Sequence, residues 1–179
     1  MKVIAFDLVG VLVREKNIEL TEKESIIERK FGNNYSDLEF INSFDMDNDE
    51  VIKISKEVIN KLYEVKFYDL FEKIKKDYDI KIVIATNHIS YVKDFIINNL
   101  DNKNIDDIII SADINMIKPN SDFYLYILNK YNIKSNELLF LDDNINNIEG
   151  ANKLGINTIK VNRDTDLYSE IIKILENIC

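Results

Sequence analysis

Lys2-Val-Ile-Ala-Phe-Asp7-Leu-Val-Gly-Val-Leu12 decides how the rest of the chain is read. An apolar run rich in β-branched residues stops at one acidic residue, and Gly10 follows. The pattern predicts a short strand buried on both faces, whose last side chain is a carboxylate delivered to an edge of a sheet. A second strand–acid junction lies far downstream, at Leu138-Leu-Phe-Leu-Asp142-Asp143-Asn144. Two such ends facing one point would make a metal site.

Between and beyond these junctions the pattern is regular from residue 66 onward. Ile80-Lys-Ile-Val-Ile-Ala-Thr86, Asp107-Ile-Ile-Ile-Ser111, Leu138–Leu141 and Thr158-Ile-Lys-Val161 read as strands. Helical patterns separate them. One carries Phe67, Leu70, Phe71 and Ile74, one covers 90–100, and one carries Phe123, Leu125 and Leu128. Another covers 145–154 and stops at Gly155, and a last one covers 166–177. Strands alternating with helices of this length predict right-handed βαβ units, hence an α/β fold with a parallel sheet covered on both faces.

Residues 14–65 break that rhythm. Thr21-Glu-Lys-Glu24 has capping-box spacing and opens a helix expected to end near Gly32. Ser36-Asp-Leu-Glu39 repeats the spacing before a short second helix. Val51, Ile54, Val58, Ile59 and Leu62 then form one apolar helical face. The expected organisation is a core of residues 1–13 and 66–179, with a small helical insertion at 14–65. Asp45, Asp47 and Asp49 alternate as in a calcium loop, but the glycine and the final glutamate of that motif are missing, so a solvated helix start is expected.

Composition narrows the function classes. The chain has 179 residues, 46% of them hydrophobic and 31% charged, which fits one globular domain with a proper core. Its net charge of −9 argues against nucleic acid or an anionic membrane as partner. No apolar run approaches the roughly 20 residues needed to span a bilayer. Met1-Lys2-Val3 leads straight into a strand, so no signal peptide is expected. The single cysteine, Cys179, rules out a disulfide framework and a thiolate metal cluster, in keeping with a cytoplasmic location.

Parallel strands share a direction, so Asp7, Thr86 and the Asp142-Asp143 pair all emerge at the carboxyl edge, where doubly wound sheets bind ligands. Oxygen-only ligation by Asp7, Asp142 and Asp143 suits Mg²⁺ rather than zinc. Thr86-Asn87 offers a hydroxyl and backbone amides to an anion. Lys118, before Pro119 in a short loop, is a cation placed to neutralise phosphate and steady the acids. His88, the only histidine, is given no mechanistic role.

Four motifs in this order resemble the haloacid dehalogenase superfamily: Asp7 closing the first strand, Thr86-Asn87, Lys118-Pro119, and Phe140-Leu-Asp142-Asp143-Asn144. The resemblance covers residues 1–13 and about 66–161. The stretch from Asp142 through Asn147, Gly150 and Gly155 to Ile156 is similar to the branch holding α-D-glucose-1-phosphate phosphatases and the phosphatase domain of soluble epoxide hydrolases. The resemblance implies a doubly wound, three-layer fold with strand order 5-4-1-2-3 (counting parallel strands only) and an insertion serving as a cap. It implies that Asp7 is the nucleophile and forms an aspartyl-phosphate. Asp7, the Val9 carbonyl and Asp143 would hold Mg²⁺, with Asp142 a ligand or its neighbour, while Thr86, Asn87 and Lys118 bind phosphate. The implied activity is a phosphomonoesterase acting on a small phosphorylated metabolite, as monomer or homodimer.

One departure stands out. The superfamily's usual first motif is Asp-x-Asp, and here the second position is Val9, which can neither protonate a leaving group nor activate water. Losing a general acid–base costs on the order of 10²–10⁴ in rate. A hemiacetal oxygen leaves more easily than an alkoxide, which favours a sugar 1-phosphate. The alternative is a catalytically weak module that binds phosphate and Mg²⁺ in a regulatory role. Haloacid dehalogenases need no metal, which leaves the acidic pair without a purpose. A phosphonatase would need a cap lysine; Lys16, Lys23, Lys30, Lys53, Lys56 and Lys61 are available, but in an acidic helical segment they read as a solvated face. No Gly-x-Gly-x-x-Gly follows the first strand, which disfavours a dinucleotide site.

Overall fold

A computed structural model describes residues 1–32, 36–67 and 69–178; Cys179 lies outside them. Five parallel strands form the central sheet: β1 (Val3–Phe6), β4 (Lys81–Thr86), β5 (Asp107–Ile110), β6 (Leu138–Asp142) and β7 (Asn157–Lys160). Their spatial order is β5-β4-β1-β6-β7, so the chain winds outward from β1 on one side and then returns to build the other. This is the expected 5-4-1-2-3 order. The strand-order switch flanks β1, which puts Asp7 at the point where such sheets bind ligands.

Two-residue alternation sorts the strand side chains onto two faces. Ile4, Phe6, Ile82, Ile84, Leu139 and Leu141 join one core, packed with α4 (Leu70–Asp77), α5 (Val92–Asn99) and α9 (Leu167–Ile178). Val3, Ala5, Val83, Ala85, Leu138 and Phe140 join the other, under α7 (Ser121–Tyr131) and α8 (Ile145–Asn152). Both faces are dry, which is why these strands read as continuous apolar runs rather than alternating ones. Asn152 closes α8 three residues before Gly155, whose φ of +76° only glycine adopts without strain.

The segment after β1 turns into β2 (Val13–Glu15), passes through α1 (Glu22–Glu28), α2 (Asp37–Asn42) and α3 (Asn48–Leu62), and returns as β3 (Tyr63–Val65). Thr21 and Glu24 form the reciprocal capping box, and Ser36 caps α2 by accepting from the Glu39 N–H. Asp47 caps α3 by accepting from the N–H groups of Asp49 and Glu50, so the acidic run is a helix start. Two features differ from the sequence reading. Helix α1 stops at Glu28, short of Gly32, because the chain tightens into turns there, with Phe31 N–H bonding to Glu28 O. And β2 pairs antiparallel with β3, Val13 opposite Val65, so the helical segment leaves and re-enters through a two-stranded ribbon. Three-residue strands are too short to show a period of their own. Among the described residues no helix is long and apolar enough to cross a membrane.

Candidate active site

Register places the acids. Phe6 pairs with Ile84 on one side and Leu141 on the other, so the next residue, Asp7, stands level with Ala85 and Asp142. The Asp7 N–H donates to Leu141 O at 2.8 Å, extending the ladder one step and fixing the carboxylate at the sheet's edge. Lys118 comes from the loop before α7 and is buried. Its Nζ donates to Asp7 Oδ1 at 2.8 Å, to Asp142 Oδ2 at 2.8 Å and to the Ala85 carbonyl at 2.9 Å. All three ammonium hydrogens are thereby used. Burial alone would strip the charge from this lysine, but Asp7 and Asp142 outweigh it and push its pKa above the ordinary lysine value.

Asp142 and Asp143 are neighbours with opposite fates. Asp142 is fully buried, and both of its oxygens accept from the Asn147 side-chain amide, at 3.1 and 3.0 Å. Its Oδ1 also accepts from the Asn144 N–H at 2.7 Å, and its Oδ2 from Lys118. Its lone pairs are taken up by Lys118, Asn144 and Asn147. Asp143 is exposed, and no side-chain donor engages it among the described residues. Desolvation and the neighbouring Asp142 push its pKa up. Gly10 makes room for it: φ there is +85°, and an added Cβ would lie 2.1 Å from Asp143 Oδ2.

One oxygen each from Asp7, Asp142 and Asp143 lie within 4.8 Å of one another. The donor set is oxygen only, and Val9, whose carbonyl accepts no backbone hydrogen bond among the described residues, lines the same cavity as these acids. With Asp142 committed to Lys118, the free donors are the second oxygen of Asp7 and the carboxylate of Asp143. That set fits a hard divalent cation that keeps several waters. Burial pushes Asp7 up to about 6, with Lys118 pulling it down and Asp142 pushing it further up.

These residues floor a cavity of 360 Å³ that also exposes Thr86, Asn87, Ile117 and Gly32. Thr86 ends β4 with its hydroxyl at this edge. The Asn87 side-chain amide is engaged on both atoms: its Nδ2 donates to Lys118 O, and its Oδ1 accepts from the Lys118 N–H, both at 2.9 Å. It clamps the lysine loop to β4. None of Lys16, Lys23, Lys30, Lys53, Lys56 and Lys61 lines this cavity. Lys23, Lys53, Lys56 and Lys61 pair instead with acids at the surface.

His88, passed over in the sequence, is the buried joint between the helical segment and β4. Its Nδ1 faces Ile89 O at 3.2 Å and so carries the hydrogen; its Nε2 accepts from the Tyr63 hydroxyl at 2.8 Å. Phe31 packs on the ring at 5.0 Å. Burial drives the pKa down to about 4, so the ring is neutral. Nearby, the Ser90 hydroxyl and N–H both donate to Asp37 at the start of α2. Gly32 then approaches so closely that an added Cβ would lie 3.3 Å from the Asn87 carbonyl. Asn147 was the other unrecognised contributor; its position five residues after Asp142, one turn into α8, was the available signal.

A parallel five-stranded sheet with a carboxylate at its switch point, a buried lysine between two acids and a free acid beside them defines a class of hydrolase. Residues 4–161 match the family model described as haloacid dehalogenase-like hydrolase, and the chain belongs to that family. Among curated proteins, the bifunctional epoxide hydrolases 2 of Mus musculus and Rattus norvegicus are each 33% identical over 72 residues, 40% of this chain. The match covers only 13% of those proteins' length; it agrees with the branch that the Asp142–Ile156 stretch resembles. A HAD-like family hydrolase from Porphyromonas gingivalis superposes with a TM-score of 0.72 at 19% identity over 98% of both chains. A HAD family enzyme from Bacteroides thetaiotaomicron, solved with magnesium and inorganic phosphate, gives 0.69 at 17% identity, covering 96% of this chain and 98% of the other. A HAD phosphatase from Thermococcus onnurineus gives 0.68 at 18% identity over 98% of both.

Proposed function

We propose that the chain is a Mg²⁺-dependent phosphomonoesterase acting on a small phosphorylated metabolite, with a sugar phosphate favoured, through an aspartyl-phosphate at Asp7. The observation that carries this reading is the division of labour between the paired acids. Asp142 is consumed in fixing Lys118, while Asp143 keeps a free carboxylate within reach of Asp7, in space that Gly10 leaves open. A metal-free dehalogenase has no use for that free acid. The solved magnesium and phosphate complex of the Bacteroides enzyme supports the same ion here.

Asp7, Asp143 and the Val9 carbonyl would hold the ion. When bound it would offset the repulsion between a carboxylate and a phosphate dianion, the main obstacle to this attack. Lys118 orients Asp7 through Oδ1 and brings a fixed positive charge to the same place. Asp7 then attacks phosphorus and forms an acyl phosphate as the ester oxygen departs with its electron pair. The Thr86 hydroxyl donates to a phosphoryl oxygen. Water cleaves the acyl phosphate and regenerates Asp7. Val9 lines the cavity where an acid would protonate the departing oxygen, so esters with good leaving groups are the substrates this site serves best. The helical segment, joined at His88, acts as the cap over the cavity.

Phosphate release from a panel of sugar and nucleotide monophosphates, with Mg²⁺ and with chelator, tests the proposal. Turnover should need the metal and disappear in Asp7→Asn. The Val9 position supports a second reading, a regulatory module that is phosphorylated but clears slowly. Absence of turnover, with one phosphoryl group added to the intact mass by acetyl phosphate, would select it.

A further inference from the structure

A second cavity of 600 Å³ lies against the first and meets it at Asp143, opening between the β2–β3 ribbon and the loop that follows β7. Arg14, Lys66, Lys160 and Arg163 line it. The chain holds 23 basic residues against 32 acidic ones, so four cations around one hollow is a concentration against the trend. The acids on the same lining are Glu15, Asp143 and Asp164. Asp143 is already assigned to the metal, and the other two are exposed and screened by water.

Arg14 is held in an ion pair by Glu64, at 2.7 Å, but the other three cations are in no ion pair among the described residues. Lys66 donates to the Gly10 carbonyl at 3.3 Å, and Lys160 to Val161 O and Asn162 Oδ1 at 3.1 and 3.4 Å. Lys66 is partly withdrawn from water, and burial lowers its pKa. An ammonium that gives up hydration with only Asp143, the acid assigned to the metal, close enough to raise its pKa is preorganised for an anion from outside.

We propose that this cavity binds a second anionic group of the substrate, a carboxylate or a second phosphate carried on the same molecule as the transferred phosphoryl group. The inference rests on the phosphatase reading and narrows it to phosphomonoesters with an acidic tail. The test is a matched series with Mg²⁺: propyl phosphate, 3-phosphonooxypropanoate and propane-1,3-diyl bisphosphate, with their five-carbon homologues. At least one acidic-tailed ester should exceed its alkyl counterpart about tenfold or more in kcat/KM, the size of a hydrogen-bonded charge pair. The preferred tail tells carboxylate from phosphate. In Lys160→Gln/Arg163→Gln that preference should fall towards parity. Alkyl and acidic-tailed esters turning over alike, or a preference that survives the double change, would overturn the subsite. A second measurement does not depend on turnover. The Asp7→Asn protein should bind malonate saturably, and the double change should weaken that binding about tenfold. Should no ester be cleaved at all, the phosphatase reading fails by itself. The subsite then stands on weakened malonate binding, or falls if malonate does not bind or binds both proteins equally.

Discussion

The molecule solves the problem of buried polar groups in two ways within a few residues of each other. At the carboxyl edge of the sheet, Lys118 is buried in an ion-paired network with Asp7 and Asp142. At the joint with the helical segment, His88 and Tyr63 are equally dry but neutral. A charged network holds its geometry because any displaced member leaves a bare charge in a low-dielectric interior. A neutral hydrogen bond costs far less to break. The catalytic end is therefore fixed, and the attachment of the helices above it is the softer of the two.

Removing Asp142 should break the comparison most severely. Asp142→Ala takes away one of the two carboxylates that ion-pair with Lys118, and the remaining pair then bonds too tightly for Asp7 to act. The expected loss is about 3–5 kcal/mol in stability, with turnover reduced beyond detection. Urea denaturation and phosphate release read the two effects. A variant as stable as the parent would mean the buried network is not what holds this edge.

The joint should fail with acid instead. His88 has a folded pKa near 4 against 6.5 for a free imidazole, so the unfolded chain takes up a proton first. Its neutral burial is stabilising above pH 6.5, and that contribution declines as pH falls towards 4, by about 3 kcal/mol in all. His88→Phe, which preserves the ring contact with Phe31, should be less stable at pH 7.5 by about 1–2 kcal/mol from the lost Tyr63 bond. Its stability should also vary less across that window. Denaturation series of both proteins at stepped pH decide it; parallel curves would exclude His88 as the titrating group.

The contrast also explains what could be read in advance. Strands buried on both faces announce themselves as apolar runs, and their carboxyl ends share one edge, so Asp7, Thr86, Asp142 and Asp143 could be grouped from residue pattern alone. Capping boxes at Thr21 and Ser36 were equally legible because the interaction is local. The partition of Asp142 from Asp143 was not, because two adjacent carboxylates differ only in which way the pleat turns them. The β2–β3 ribbon spans a gap of some fifty residues and gains its register from the helical segment it closes. His88 looked bland since nothing in its neighbours reveals that Phe31 and Tyr63 will enclose it.

Asn87 sharpens the comparison at its smallest scale, since it lies between the two regions in sequence and belongs to the charged one in space. Its amide makes two hydrogen bonds to the backbone of Lys118. Asn87→Ala should free the Lys118 loop while leaving Asp7 and Asp142 in place. Stability should fall by about 1–2 kcal/mol for two neutral bonds. Because the ammonium would then sample positions away from Asp7, kcat should drop about tenfold, as expected for lost orientation rather than lost charge. KM should change little if the residue only positions the lysine. A rise in KM with kcat intact would instead assign Asn87 to direct phosphate binding, through a side chain that must then leave Lys118 on each turnover.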